Sequence, residues 1–214
     1  LRKFIAIPDG GVLISREELG FDSIERSDNK IEEIAKKAFS TKKEYFTSLN
    51  PETKSSFRKL YQSLNDLIVA NDKLYEISPL SSKIFSCLNY DKVCISRKQN
   101  YFALYHNLYG FNQISIATPN IILTDKYVPL YLSIYLKSPD IRNLIRSEMA
   151  KNDIYCPIIW PRLTTTEIKN TESLYIYDHI LCLPIDQRYG LEEMSKISDT
   201  FIRLYEEIDG STLT

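Results

Sequence analysis

No apolar run in the sequence approaches the roughly 20 residues that a helix needs to cross a bilayer. The opening Leu1-Arg2-Lys3-Phe4-Ile5 also lacks the build of a signal peptide. A spanning or secreted protein is therefore not expected, and a cytoplasmic one is. Neither sign of charge dominates, with 27 Lys plus Arg against 28 Asp plus Glu and a formal net charge of −1. Without a field of one sign, nucleic acid and an acidic membrane surface are unexpected partners. The 2 histidines, His106 and His179, read as satisfied, partly buried side chains. The 4 cysteines, Cys87, Cys94, Cys156 and Cys182, form no Cys-x-x-Cys pair, so metal-ligand spacing is missing and buried free thiols are expected. Also missing are Gly-x-x-x-x-Gly-Lys-Ser/Thr, Gly-x-Gly-x-x-Gly, Gly-x-Ser-x-Gly and His-Glu-x-x-His. Those absences exclude the usual self-contained phosphate, dinucleotide, serine-hydrolase and zinc-peptidase motifs.

What is present is the composition of a globular chain: 43% hydrophobic and 26% charged residues over 214 positions, enough for one large domain or two small ones. The sole Gly-Gly pair lies in Pro8-Asp9-Gly10-Gly11, between the apolar runs Phe4-Ile7 and Val12-Ile14. That pattern predicts strand, tight turn, strand. Apolar residues at spacings of three and four then predict an amphipathic helix over 27–48 and a second after Asn50-Pro51, where Asn50 can cap and Pro51 suits the first helical position. Ser78-Pro79 repeats the start signal for a short helix. A further helix is expected over 90–109, its stripe formed by Cys94, Tyr101, Leu104 and Leu108 and its end marked by Gly110.

Beyond Gly110 the pattern changes. Val128, Leu130, Leu132, Ile134 and Leu136 alternate with Pro129, Tyr131, Ser133 and Tyr135, which calls for a strand with one buried face. Ser138-Pro139-Asp140 opens a helix with Ile141, Leu144, Ile145 and Met149 inward. The apolar runs 154–160 and 179–185, separated by a polar stretch rich in threonine, read as strands. A last helix carries Leu191, Met194, Ile197, Phe201 and Leu204, with Glu192 and Glu193 in the turn where the helix dipole favours them. The domain boundary is expected between residues 110 and 127, followed by a small sheet with helices on one face.

Three segments carry a resemblance. Arg2-Lys3 followed by Pro8-Asp9-Gly10-Gly11-Val12-Leu13-Ile14 resembles the stretch of the DegT/DnrJ/EryC1/StrS sugar aminotransferases in which the cofactor-binding lysine precedes a Gly-Asp/Glu-Gly-Gly turn. Tyr155-Cys156-Pro157-Ile158-Ile159-Trp160-Pro161 resembles the strand after their small-domain helix. Ile180 to Gly190, with Leu183-Pro184-Ile185-Asp186-Gln187-Arg188-Tyr189 inside it and Glu192-Glu193-Met194 beyond, resembles their closing strand, loop and terminal helix, in a divergent branch.

The resemblance implies an α/β chain that is the carboxyl-terminal part of a pyridoxal-phosphate-dependent, aspartate-aminotransferase-like fold. Residues 1–110 would hold the end of the large cofactor-binding domain and a helical connecting region; 111–214 would be the small α+β sandwich domain. An upstream half is expected to supply the groups that clasp the cofactor ring and phosphate. The activity implied is transfer of an amino group from an amino acid to a keto-sugar, nucleotide-linked, in a homodimer with pyridoxal 5'-phosphate as cofactor.

By residues alone Lys3 reads as a solvated lysine ahead of a strand; the resemblance makes it the Schiff-base lysine, catalytic and cofactor-binding. A desolvated site beside Arg2 would favour the neutral, nucleophilic amine. Arg188 has two readings: a bidentate clamp on a substrate phosphate or carboxylate, or a partner of Asp186 that pins its loop. Trp160, the only tryptophan, reads as a core or interface anchor or as a sugar-stacking platform. Two departures from the family pattern favour a second reading, a non-catalytic scaffold of the same fold. The interval from Lys3 to the glycine pair is one residue shorter, and no Asn-Tyr-Arg element is recognisable.

Overall fold

The computed structural model describes residues 4–20, 24–27, 29–70, 73–117, 127–159 and 170–211. Contacts divide the chain into two compact units, Leu1–Leu88 and Asn89–Thr214.

In the first unit, α1 (Asn29–Ser48) and α2 (Pro51–Val69) form a hairpin turned by Leu49 and Asn50. Leu49 takes φ +50° at the apex. The Asn50 side chain accepts the Glu52 N–H at 2.7 Å, so the cap read from the sequence starts α2. The two helices meet through Ile31, Ala35 and Leu64, extended outward by Tyr45, Phe57 and Tyr61 in tilted and edge-on ring contacts. α3 (Pro79–Ser86) begins at Ser78, whose hydroxyl accepts the Ser81 N–H at 3.2 Å.

Residues 4–14 do not form the expected strand, turn and strand. Ile5 and Ile7 are buried at 5% exposure, while Val12, Leu13 and Ile14 stand 66%, 70% and 89% exposed. No described segment pairs with them, and an extended run with unpaired N–H and C=O groups does not make a ladder. The turn itself forms: Gly10 has φ +110°, and an added Cβ there would lie 2.8 Å from a methyl of Ile77.

The second unit contains α4 (Tyr90–Leu108), β1 (Ser115–Ile116), β2 (Tyr131–Tyr135), α5 (Pro139–Lys151), α6 (Thr171–His179), β3 (Ile180–Pro184) and α7 (Leu191–Ser211). The three strands form an antiparallel sheet in the order β1-β2-β3. Leu132, Ile134, Leu181 and Leu183 point to one face, where Tyr101, Leu104, Ile145, Met149, Phe201 and Tyr205 close a single core. Ser138 caps α5 by accepting the Ile141 N–H at 3.2 Å. Glu193 reaches back to the Gly190 N–H at 2.8 Å and so caps α7, a more specific job than the dipole role read from the sequence.

The division at Leu88 and Asn89 lies ahead of the boundary expected from composition. α4 buries Tyr101, Leu104 and Leu108 in the second core, and packing rather than composition decides the partition. The alternation expected from Val128 holds only over 131–136: Pro129 is buried and Leu130 half-buried. Residues 154–159 form no strand; they lie beside β3, joined by the Cys182 N–H donating to the Pro157 carbonyl at 3.2 Å. Pro157 lacks a donor, so the ladder cannot continue through it. The polar stretch before β3 contains α6, started by Asn170 and without one fully buried residue, which is why periodicity missed it. His179 ends that helix instead of opening the strand.

Candidate functional site

Of the residues proposed from the sequence, Lys3 and Trp160 lie outside the described residues. Arg188 lies in the loop between β3 and α7. Its Nε donates to Asp186 Oδ1 at 2.7 Å and its Nη2 to Asp186 Oδ2 at 3.0 Å, while the Arg188 backbone N–H also donates to Oδ1 at 3.0 Å. The fork is thus engaged by a neighbour two residues away, the geometry of the loop-pinning reading.

Two residues not singled out from the sequence brace the same loop from α4. Asn100 donates through Nδ2 to the carbonyls of Asp186 (2.9 Å) and Tyr189 (3.0 Å). Arg97 donates through Nη1 to the Leu130 carbonyl at 3.0 Å and brings Nη2 to 3.6 Å from Asp186 Oδ2. The signal was present: three- and four-residue steps back from Leu104 pass through Tyr101, Asn100 and Arg97, so the buried stripe of α4 turns polar toward its start. Arg97 is 2% exposed.

Charge explains why this partly buried cluster holds. Burial alone would raise the Asp186 carboxyl, but the side-chain and backbone hydrogen bonds from Arg188, with the charges of Arg188 and Arg97, outweigh it and hold the group below the usual carboxylate range. Burial pulls the Arg97 guanidinium below its ordinary range, opposed by Asp186 and Tyr131. Two guanidinium groups against one carboxylate leave the loop with local positive charge, and Tyr131 of β2 is close enough to feel both signs.

The sheet face opposite the core runs away from this loop. β2 register places Tyr131, Ser133 and Tyr135 there, opposite Pro184, Cys182 and Ile180 of β3. Ser133 Oγ lies 3.5 Å from Cys182 Sγ. Beyond Tyr135, Tyr175 follows at 5.5 Å between centroids and stacks on His179 at 4.2 Å. The His179 Nδ1 lies 2.7 Å from the Leu136 carbonyl. Burial pushes the Tyr131 and Tyr135 phenols up. It also pushes the Cys182 thiol up and the Cys156 thiol to about 12, which makes these two inert. The expectation of buried thiols fails for Cys87, which is exposed, and for Cys94, which is half-buried. Among the described residues no cluster could hold a metal ion.

In the first unit the turn after Lys3 is fastened at the start of α3. Asp9 accepts from the Ser78 N–H at 3.1 Å, from the Ser78 hydroxyl at 2.7 Å and from the Ser81 hydroxyl, and both serines are fully buried.

No family model and no curated protein matches the sequence. Among solved structures, the apo form of a Streptococcus pneumoniae protein described as a sugar aminotransferase superposes with TM-score 0.54 and 17% identity, over 73% of this chain and 46% of that chain. Its pyridoxamine-phosphate form gives TM-score 0.51 and 20% identity over 60% and 34%. A DegT/DnrJ/EryC1/StrS aminotransferase of Brucella abortus aligns at TM-score 0.46 and 12% identity over 69% and 44%. The chain has the fold of the carboxyl-terminal part of a sugar aminotransferase. It spans less than half the length of the structures it matches, and the expected fold class is borne out. Among the described residues, no helix of this aminotransferase fold is long and apolar enough to cross a membrane.

Proposed function

We propose that the chain is part of a DegT/DnrJ/EryC1/StrS aminotransferase that moves an amino group from an amino acid to a nucleotide-linked keto-sugar, in a cytoplasmic homodimer. The likeness at TM-score 0.54 to a protein described as a sugar aminotransferase carries this reading. On this reading residues 1–110 hold the end of the cofactor-binding domain and the helical connection, whose last helix, α4, packs with the small domain of 111–214.

Lys3 is the residue assigned to pyridoxal 5'-phosphate. Directly after it Ile5 and Ile7 are buried and Asp9 is anchored on Ser78; a lysine held out of water would favour the neutral amine. Bound cofactor would supply the electron sink, and Lys3 the amine that holds it and then carries protons. Arg188 and Trp160 are proposed as substrate-facing. For Arg188, anion binding requires the second face of a guanidinium whose Nε and Nη2 already engage Asp186.

The whole protein should absorb at about 400–430 nm with pyridoxal phosphate bound, and Lys3→Ala should abolish the band. A colourless protein that refuses the cofactor would support the second reading, a scaffold of this fold without turnover. The shortened interval after Lys3 and the missing Asn-Tyr-Arg element favour that alternative.

A further inference from the structure

The even charge of the whole chain hides one uneven region. In the parts of α1 and α2 nearest their turn, residues 37–62, Lys37, Lys42, Lys43, Lys54, Arg58 and Lys59 stand against Glu44 and Glu52 alone. The chain as a whole carries −1, so acidic residues elsewhere offset this excess.

Three features of the same end work against stability. Leu49, at the apex, takes φ +50°, a conformation suited to glycine or asparagine, and its side chain is 68% exposed. Phe46, three residues earlier, is 67% exposed. On α2, Lys54 and Arg58 repel each other one turn apart, and with Lys59 they line an open depression of about 400 Å³. Local rules broken together at one place mark a functional surface more often than a structural one.

The order along the hairpin is informative. At the usual helical rise, Phe46 lies about 5 Å behind Leu49, and the cations from Lys54 to Lys59 about 8–15 Å behind it. An apolar end that enters the headgroup boundary of a bilayer by about 5–10 Å brings cations at that depth level with the lipid phosphates. Two of the lysines lie over rings: Lys42 Nζ is 5.8 Å from the centroids of Phe46 and Tyr61, and Lys54 Nζ is 5.7 Å from that of Tyr45. Single-stranded nucleic acid needs exposed rings on which bases stack. Here Tyr45, Phe57 and Tyr61 turn toward one another at 5.4 and 6.2 Å between centroids, and only Phe46 of the rings at this end is exposed.

We propose that the turn of the α1–α2 hairpin docks on an anionic phospholipid surface. Leu49 and Phe46 enter the acyl boundary, and Lys43, Lys54, Arg58 and Lys59 meet the headgroup phosphates. The contact is peripheral and local, which is why the charge of the whole chain gave no sign of it. It is independent of the aminotransferase reading.

The test floats the whole protein with vesicles of phosphatidylcholine, either alone or with about 30% phosphatidylserine. The protein should rise with the anionic vesicles, stay behind with the neutral ones, and be released as salt increases from about 0.1 to 0.5 M. Arg58→Gln with Lys59→Gln should weaken binding about 25-fold, about 5-fold for each cation removed. Phe46→Ser should weaken it about 5- to 10-fold. Leu49→Asn should also weaken it without lowering the melting temperature, which separates loss of docking from loss of fold. No flotation, equal flotation with neutral vesicles, or flotation that survives all these substitutions overturns the proposal. Binding of polyuridylate that displaces the vesicles and is lost in the same variants also overturns it, in favour of a nucleic acid.

Discussion

The two units of the chain are held by different means. In Asn89–Thr214 the helices α4, α5 and α7 and the sheet close on one apolar core, with Phe201, Leu132, Ile134, Ile145 and Met149 all at 0% exposure. In Leu1–Leu88 the helix hairpin meets at a small cluster of Ile31, Ala35 and Leu64, and the segment from Ile5 to Gly10 is tied by the carboxylate of Asp9 on two buried serines. A packed core tolerates loss of a polar contact at its rim. A polar clasp does not, because each buried donor then lacks its acceptor. The segment from Ile5 to Gly10 therefore depends on a few hydrogen bonds, and the second unit depends on packing.

Truncation in the second core is the harshest way to probe that contrast. Phe201→Ala should destabilise by about 3–5 kcal/mol in denaturant unfolding, through lost burial and the cavity left among α4, α7 and Phe111. Asp186→Ala comes next. It strands Arg97, 2% exposed, against a lost partner, and the cost should be about 2–3 kcal/mol, below that of a fully buried pair because Asp186 retains 23% of its side-chain exposure. The same carboxyl is depressed in the folded protein, so its contribution is fully present above its unfolded value of about 4 and is lost as pH falls through the lower folded value. A stability profile of Asp186→Asn should accordingly lose part of the acid-side slope of the parent.

Asp9→Ala should cost about 1–3 kcal/mol and release the segment before Gly11, read as faster amide hydrogen exchange at Ile7 and Ser78 with residues 89–211 unchanged. Spread of that effect into the second unit would erase the distinction drawn between them. The smallest effect is chemical: a thiol reagent should modify Cys87 in the native protein and reach Cys156 and Cys182 only on unfolding.

Local rules made much of this legible. Asn50, Ser78 and Ser138 each mark a helix start because a side-chain oxygen followed by proline satisfies an otherwise orphaned N–H, and each starts a helix where expected. The period-two run from Tyr131 to Leu136 marked the central strand. What stayed hidden depends on distant partners. Arg97 and Asn100 lie on the stripe of α4 that carries Tyr101 and Leu104, but what they brace shows only when β3 and its loop fold against them. The expected strands at 4–14 and 154–160 had the right residues but lack a pairing ladder among the described residues. The helix at 171–179 has no buried side to betray it. For the site, the pairing of Asp186 with Arg188 was readable from their spacing and the two readings of Trp160 from its ring chemistry, whereas the role of Lys3 came from resemblance.

The assignment of Lys3 is open to one direct measurement. The whole protein, loaded with pyridoxal phosphate, is reduced with borohydride, digested, and its peptides are weighed. A phosphopyridoxyl increment on the peptide bearing Lys3 is the predicted result. An increment on a different lysine, or on none, contradicts the assignment.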